Sequence, residues 1–314
     1  MKHSLNFLGV LLLAALGMTG CQSEDITYSG PEYVMFSDTI YTMPVVVDTD
    51  AAFDVPVVAT STVDYDRNYS VEIVNDKSTA VRGLHFDFVD NSNNVTIKAG
   101  ENTAYVKLAG HYENTNRDDS LVVRLRLVEP QNQKWNLYGN ETLVDMVKCH
   151  PFKMNDFLMI ENDGDEANFT MLATFPFGND MTSHSVKGYK KDEKTLMLKD
   201  MFGASASGEI RVIFDDSDPL DLKITVPEQP GFREATYGMV WLRSTTQYPS
   251  YFNTFDNFFA LWLEAYVPQI GSFGVYQYIL RSISKDEAEN GDNGAITRSI
   301  IEDGYFSTFK LNKF

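Results

Sequence analysis

Leu121-Val122-Val123-Arg124-Leu125-Arg126-Leu127 can be sorted residue by residue onto two sides of an extended chain. Leu121, Val123, Leu125 and Leu127 fall on one side, and Arg124 and Arg126 fall on the other. Side chains of a strand alternate between faces, so strict period two with charge on one side marks a strand half buried in a sheet. The same period recurs on both sides of this stretch. Upstream, Ala104, Val106 and Leu108 oppose Tyr105 and Lys107, and Val95-Thr96-Ile97-Lys98 alternates. Val71 and Ile73 mark a strand over residues 69 to 74. Val45, Val47, Val55, Val57 and Ala59 flank an acidic turn at 48 to 54. Downstream, Leu143, Asp145 and Val147 close the series. Asn91-Ser92-Asn93-Asn94 and Ala99-Gly100-Glu101 are turns by composition. Short alternating strands at this spacing predict an antiparallel sandwich over residues 26 to 149. No long helical period competes.

These strands also carry a family resemblance. Ala80-Val81-Arg82-Gly83-Leu84-His85-Phe86, Val95-Thr96-Ile97-Lys98-Ala99-Gly100-Glu101, Val106-Lys107-Leu108 and Asp118-Asp119-Ser120-Leu121-Val122-Val123-Arg124-Leu125 together resemble the Calx-β repeat. The resemblance covers about residues 30 to 147 and implies an immunoglobulin-like sandwich, often an extracellular spacer. Calcium sites of that family gather several carboxylates at the sandwich tip. Here His85 stands where an Asp is usual, and the acidic loop is thinned to Glu113, Asp118 and Asp119 with Arg117 beside them. Calcium takes six to eight oxygen ligands, largely anionic. A solvated turn without a metal is therefore the expectation.

His150-Pro151 marks the end of this unit, because proline discourages a continuing strand. Residues 150 to 314 are expected to form a second antiparallel β-sandwich or barrel, making the whole chain all-β. Strand signals lie at 169 to 177 and 209 to 214. Residues 220 to 226 return as a hairpin partner across Asp215-Asp216-Ser217-Asp218-Pro219. Residues 195 to 201 read as a strand or a short helical turn. The strongest strands are 237 to 243, 257 to 267 and 275 to 283. Residues 284 to 295 are charged and Gly-rich and read as a long exposed loop, and 304 to 311 read as the last strand.

The aromatic residues concentrate in this second half. Alternation over the strand at 257 to 267 puts Phe259, Leu261, Leu263, Ala265 and Val267 on an apolar face. Phe258, Ala260, Trp262, Glu264 and Tyr266 fall on the other, with three rings and a carboxylate. Upstream, Trp241 shares a face with Tyr237, Met239 and Arg243. Rings with a few polar groups on a rigid sheet suit sugars: a pyranose lays its C–H face on a ring while carboxylate or Arg groups take its hydroxyls. Trp262, Phe258, Tyr266, Glu264 and Trp241 are the candidate ligand-binding residues. The competing reading is that these rings fill a barrel interior or an inter-sheet core. The Tyr-Gly-x-Val-Trp stretch at 237 to 241, Pro249-Ser250-Tyr251-Phe252 and Gly271-Ser272-Phe273-Gly274 resemble a module of Bacteroidetes surface lipoproteins of uncharacterised function. Several of those accompany polysaccharide-uptake systems, so the resemblance implies a glycan or an outer-membrane uptake channel as partner.

The amino terminus bears on location. Lys2, an apolar run over 5 to 16 and the small residues Gly17, Thr19 and Gly20 make an export signal over residues 1 to 20. The run falls short of the roughly 20 residues that span a bilayer. Met18-Thr19-Gly20-Cys21 resembles a bacterial lipobox, with Met18 where Leu is usual. The resemblance implies cleavage before Cys21 and an acylated Cys21 anchored in the membrane, since two or more acyl chains give a stable anchor. Ser23-Glu24-Asp25 resembles the surface-export signal of Bacteroidetes lipoproteins. Residues 21 to 25 then form a lipidated, acidic tether at the outer membrane, facing the exterior; a periplasmic face is the alternative.

Composition narrows the function further. A net charge of −18 repels the phosphate backbone, so nucleic acid is excluded as a partner. Only two Cys occur; with Cys21 acylated, Cys149 has no partner for an internal disulfide. There is no HExxH, GxSxG, Walker loop or paired-Cys metal pattern, and nothing calls for a cofactor. Gly203-Ala204-Ser205-Ala206-Ser207-Gly208 misses a nucleophile elbow by one residue. The expected function is non-catalytic glycan binding. Structural or adhesive binding of a protein partner is the alternative, and glycoside hydrolysis stands third.

Overall fold

The computed structural model describes residues 30–47, 52–134, 139–174, 176, 181–203 and 208–290. The signal over 1 to 20, Cys21, the acidic tether and the strand read at 304 to 311 lie outside the described residues. The described chain is almost entirely β: a two-sheet sandwich followed by a closed barrel.

In the sandwich, β1 (Val34–Phe36), β3 (Phe53–Ala59), β7 (Thr103–Gly110) and β5 (Phe86–Phe88) form one sheet in the order β1-β3-β7-β5. β2 (Ile40–Val45), β9 (Glu141–Lys148), β8 (Leu121–Val128), β4 (Arg67–Ile73) and β6 (Asn94–Ile97) form the facing sheet in the order β2-β9-β8-β4-β6. Alternation builds the core between them. Leu121, Val123, Leu125 and Leu127 of β8 are buried with Val55, Val57, Val106, Leu108, Val71 and Ile97. On the opposite side of β8, Arg126 Nη2 donates to Glu141 Oε1 of β9 at 2.7 Å. One pairing departs from the antiparallel expectation. β2 runs parallel to β9, with Ile40 opposite Leu143. Side-chain period two is the same in parallel and antiparallel pairs, so alternation cannot distinguish them. Both strands run toward the barrel, and the Cys149 N–H donates to the Val45 carbonyl at 2.9 Å as they reach it.

The barrel is built from β10 (Glu166–Thr174), β11 (Met181–Asp192), β12 (Thr195–Lys199), β13 (Ile210–Asp215), β14 (Lys223–Thr225), β17 (Ser250–Asn253), β18 (Phe258–Val267) and β19 (Gly271–Ile283). Neighbours pair in that order, except that β19 pairs with both β10 and β18 and so closes the ring. Closure removes the two free edges that an open sheet of these eight strands would carry. β14 and β17 are short, and a hairpin of β15 (Gln229–Glu234) and β16 (Gly238–Ser244) completes the rest of the wall against the second half of β18. The Gln229 side chain stands in for a strand ladder: its Oε1 accepts the Arg211 N–H at 3.0 Å and its Nε2 donates to the Arg211 carbonyl at 2.9 Å. At the bulge between Pro230 and Phe232, Gly231 lies so close to Leu242 that a Cβ would sit 2.6 Å from its side chain.

The interior is filled by Phe169, Met171, Leu198, Val212, Phe214, Phe259, Leu261, Tyr278 and Leu280 among others. A short helix, α1 (Met154–Leu158), packs at the end where β13 and β17 finish and β18 begins. Its Phe157 ring lies 5.4 Å from Phe214, 5.7 Å from Phe252 and 6.1 Å from Phe259. The turns at 235 to 237 and 268 to 270 lie at the other end, remote from the sandwich. The exposed loop expected from 284 begins instead as a helix, α2 (Lys285–Asn290). Ser284 and Glu287 form a capping box there. The Glu287 N–H donates to Ser284 Oγ at 3.2 Å, and the Ser284 N–H donates to Glu287 Oε2 at 2.9 Å. Residues 291 to 295 of that loop lie outside the described residues.

Candidate functional site

Strand β18 sorts its side chains by alternation. Phe259, Leu261, Leu263, Ala265 and Val267 point into the barrel and are buried, while Phe258, Ala260, Trp262, Glu264 and Tyr266 belong to the outer face. That outer face is not uniformly open. At the start of β18, Phe258 (3 % exposed) and Ala260 join Leu172 and Ile279 in a second buried cluster on the outside of the wall. Phe258 is thus withdrawn from any open platform: strand alternation gives a side chain's direction but not what lies over it. Trp262 is 8 % exposed. Its ring stacks on Tyr248 at 5.1 Å, and its backbone N–H donates to Ser250 Oγ at 2.8 Å. Its indole face is therefore already covered by a ring of the chain itself.

The second half of β18 is more open. Glu264 and Tyr266 are partly exposed, and β16 sets Trp241, also partly exposed, directly opposite Tyr266. One step along the same pair of strands, Arg243 stands opposite Glu264. Arg243 Nε donates to Glu264 Oε2 at 2.8 Å, and Nη1 donates to Glu228 Oε2 at 3.2 Å. The guanidinium also lies 4.6 Å from the Tyr266 ring centroid, within cation–π range. Burial pushes the Glu264 carboxyl up, but hydrogen bonds from Arg243 and Ser272 outweigh it and hold the group below the usual glutamate range. Burial, then a hydrogen bond to Glu228, raises the Tyr266 phenol.

Three of the five sequence-predicted residues, Trp241, Glu264 and Tyr266, thus come together on one patch outside the barrel. Arg243 was visible as sharing a face with Trp241. Glu228 was missed, because it sits just before β15, outside any alternating run. Tyr248 was missed as the cover of Trp262 for the same reason. An open groove of about 790 Å³ lies elsewhere, lined by Asn162, Asp165, Asn168, Ser185, Lys187 and Glu289, and none of the predicted residues reaches it.

At the sandwich tip, His85 Nδ1 accepts the Val81 N–H at 2.9 Å, and Asp119 Oδ2 accepts from Asn116 Nδ2 at 2.9 Å. Arg117 turns away to the barrel. Among the described residues no group of three or more His, Cys, Asp or Glu is placed to hold a metal ion.

No family model matches the chain, and no curated protein matches it. Solved structures similar to it include a protein of unknown function from Bacteroides ovatus, 11 % identical, covering 79 % of this chain and 89 % of that one with a TM-score of 0.34. An auxiliary nutrient binding protein from Bacteroides thetaiotaomicron is 10 % identical over 78 % of this chain and 90 % of its own, with a TM-score of 0.31. The calcium binding domain CBD12 of CALX1.1 is 12 % identical over 53 % of this chain and 78 % of its own, with a TM-score of 0.30.

Proposed function

We propose that this chain is a non-catalytic, surface-exposed lipoprotein whose barrel binds glycans for a polysaccharide-uptake system. The observation that carries the reading is the patch on β16 and β18. Trp241 and Tyr266 oppose each other beside the Arg243–Glu264 pair, partly exposed on the outside of a barrel whose interior is packed solid. Rings supply stacking area, and the charged pair supplies hydroxyl acceptors and donors. An interior filled by side chains leaves the outside of the barrel to a ligand. Cys21 would be acylated and held at the outer membrane, with the sandwich as a spacer between the lipid and the barrel. β2 and β9 run away from the amino-terminal side toward the barrel, which fits that order.

A glycan array probed with the chain from residue 26 onward tests the binding reading. Retention that Trp241→Ala abolishes supports it; retention indifferent to that variant, or none, counts against it. Metabolic labelling with a fatty-acid analogue tests the anchor, since Cys21→Ala should remove all label. A protein partner is the second reading, favoured by the end of the barrel remote from the sandwich. There Tyr237 packs on Phe273 at 5.0 Å and Ile270 is exposed. Pull-down of an uptake-channel protein by the wild type but not by Ile270→Asp would favour that alternative.

A further inference from the structure

Resting on the glycan reading of the same patch, we infer that it selects neutral glycans bearing a vicinal diol and turns away uronic-acid or sulfated ones. The charge balance at its centre points this way. One guanidinium, Arg243, lies between two carboxylates, Glu264 at 2.8 Å and Glu228 at 3.2 Å, so the cluster carries one more negative charge than positive. Glu264 keeps its charge into acid because its hydrogen bonds hold the carboxyl below the usual range. The surrounding field has the same sign, with −18 over the whole chain.

The hydrogen-bonding pattern agrees. Arg243 uses Nε and Nη1 on the two carboxylates, and its Nη2 hydrogens have no protein partner among the described residues. Ionised carboxylates only accept, and a guanidinium only donates. The cluster therefore presents acceptor, donor and acceptor in a row. A sugar hydroxyl does both: it can donate to Glu228 or Glu264 and accept from Nη2. Two adjacent hydroxyls fill the row, with the ring's C–H face toward Trp241 or Tyr266. A ligand carboxylate or sulfate brings acceptors alone, and would place them against Glu228 and Glu264. Arg233 also projects on this side of β15, opposite Met239, outside the acceptor–donor–acceptor row.

The test is an array in which each neutral oligosaccharide is paired with its uronic-acid or sulfated counterpart, probed at low and high salt. The expected result is retention of the neutral member that salt leaves unchanged and that stands about tenfold or more above its charged counterpart at low salt, a ratio that narrows at high salt as the repulsion is screened. Glu228→Gln with Glu264→Gln should collapse that ratio by weakening the neutral member and admitting the charged one. Glu228→Gln alone, at an exposed position, should move it the same way by less, and covers the case in which the double variant does not fold. A charged member preferred by the wild type, and lost in Trp241→Ala, would overturn this inference while leaving the glycan reading intact. Retention of no member, or retention unchanged by Trp241→Ala, would remove the glycan reading and this inference with it.

Discussion

Arg117 and Asp256 form a two-pronged ion pair between the sandwich and the barrel: Nη1 lies 2.9 Å from Oδ1 and Nη2 2.8 Å from Oδ2. The Arg117 guanidinium also lies 4.9 Å from the Phe255 ring. Phe255 packs edge-on to His150 at 5.6 Å, and Thr254 Oγ1 donates to the His150 carbonyl at 3.0 Å. The arginine beside Asp118 and Asp119 thus joins the two halves of the chain.

The pair is partly exposed, 43 % and 32 % for the two side chains, which limits its worth. Exposed pairs contribute about 0.2–1 kcal/mol, and bidentate geometry favours the upper end. A double-mutant cycle on Arg117→Ala and Asp256→Ala, read by chemical denaturation, should give a coupling of about 1 kcal/mol that shrinks in high salt. Small-angle scattering of either variant should show a broader range of separations between sandwich and barrel. A coupling near zero with unchanged scattering would mean that the chain linkage and the contacts of Thr254 and Phe255 with His150 fix the junction.

The two tryptophans of the β16–β18 wall should behave oppositely. Trp262 is covered by Tyr248, so Trp262→Ala should destabilise by about 3 kcal/mol or more, by the cost of truncating a buried aromatic ring. Trp241 is partly exposed, so Trp241→Ala should leave the melting temperature within a few degrees and act on glycan retention instead, costing about 1–3 kcal/mol of binding for a stacking anchor. Melting curves and affinity electrophoresis on the same two preparations decide it. Equal destabilisation by both would make the whole stripe structural.

Much of the fold was legible because alternation reports burial directly. Leu121 to Leu127 in sequence steps of two, and Phe259 to Val267 likewise, face the two cores as read. What alternation does not contain is strand direction, closure and cover. The parallel β2–β9 pair and the β18–β19 pairing that closes the ring depend on partners distant in sequence. α1 was missed because five residues are too few to show a helical period. α2 is not read from the sequence, where charge and glycine over 284 to 295 mark an exposed loop, although Ser284-x-x-Glu287 spells a helix start. The site divides the same way. Alternation puts Glu264 and Tyr266 on one face of their strand and Trp241 on one face of another, and the β16–β18 pairing brings the three together, whereas the burial of Phe258 and Trp262 is set by Leu172, Ile279 and Tyr248, which come from other strands and turns.

Cys149 should be inert while the chain is folded. It is buried, and burial pushes its thiol up to about 11, so almost no thiolate exists near neutral pH. A thiol reagent at pH 7.5 should label the chain beginning at residue 26 only after denaturant is added. Rapid labelling of the native protein would show that the segment joining Val45 and Cys149 opens readily.

Glu264 makes the patch's acid response predictable. Its folded carboxyl lies below the usual glutamate range, so its stabilising contribution is fully present above the unfolded value and is lost as pH falls through the folded one. The direction is set by opposing causes: burial raises the group, and the Arg243 and Ser272 hydrogen bonds together with the Arg243 charge lower it by more. Glu166 and Glu141 are held low by their own cation partners, so the wild type's acid unfolding is shared among several groups. The informative quantity is therefore the difference in stability between wild type and Glu264→Gln at each pH. That difference should be constant from neutral pH down to the usual glutamate range and should shrink toward zero only below it. Glycan retention should follow the same course, because a protonated Glu264 loses an acceptor and leaves the Arg243 charge less compensated. If the difference instead vanishes above the usual glutamate range, the Arg243–Glu264 bond does not hold the carboxylate in solution, and the acceptor–donor–acceptor row at the patch has no fixed centre.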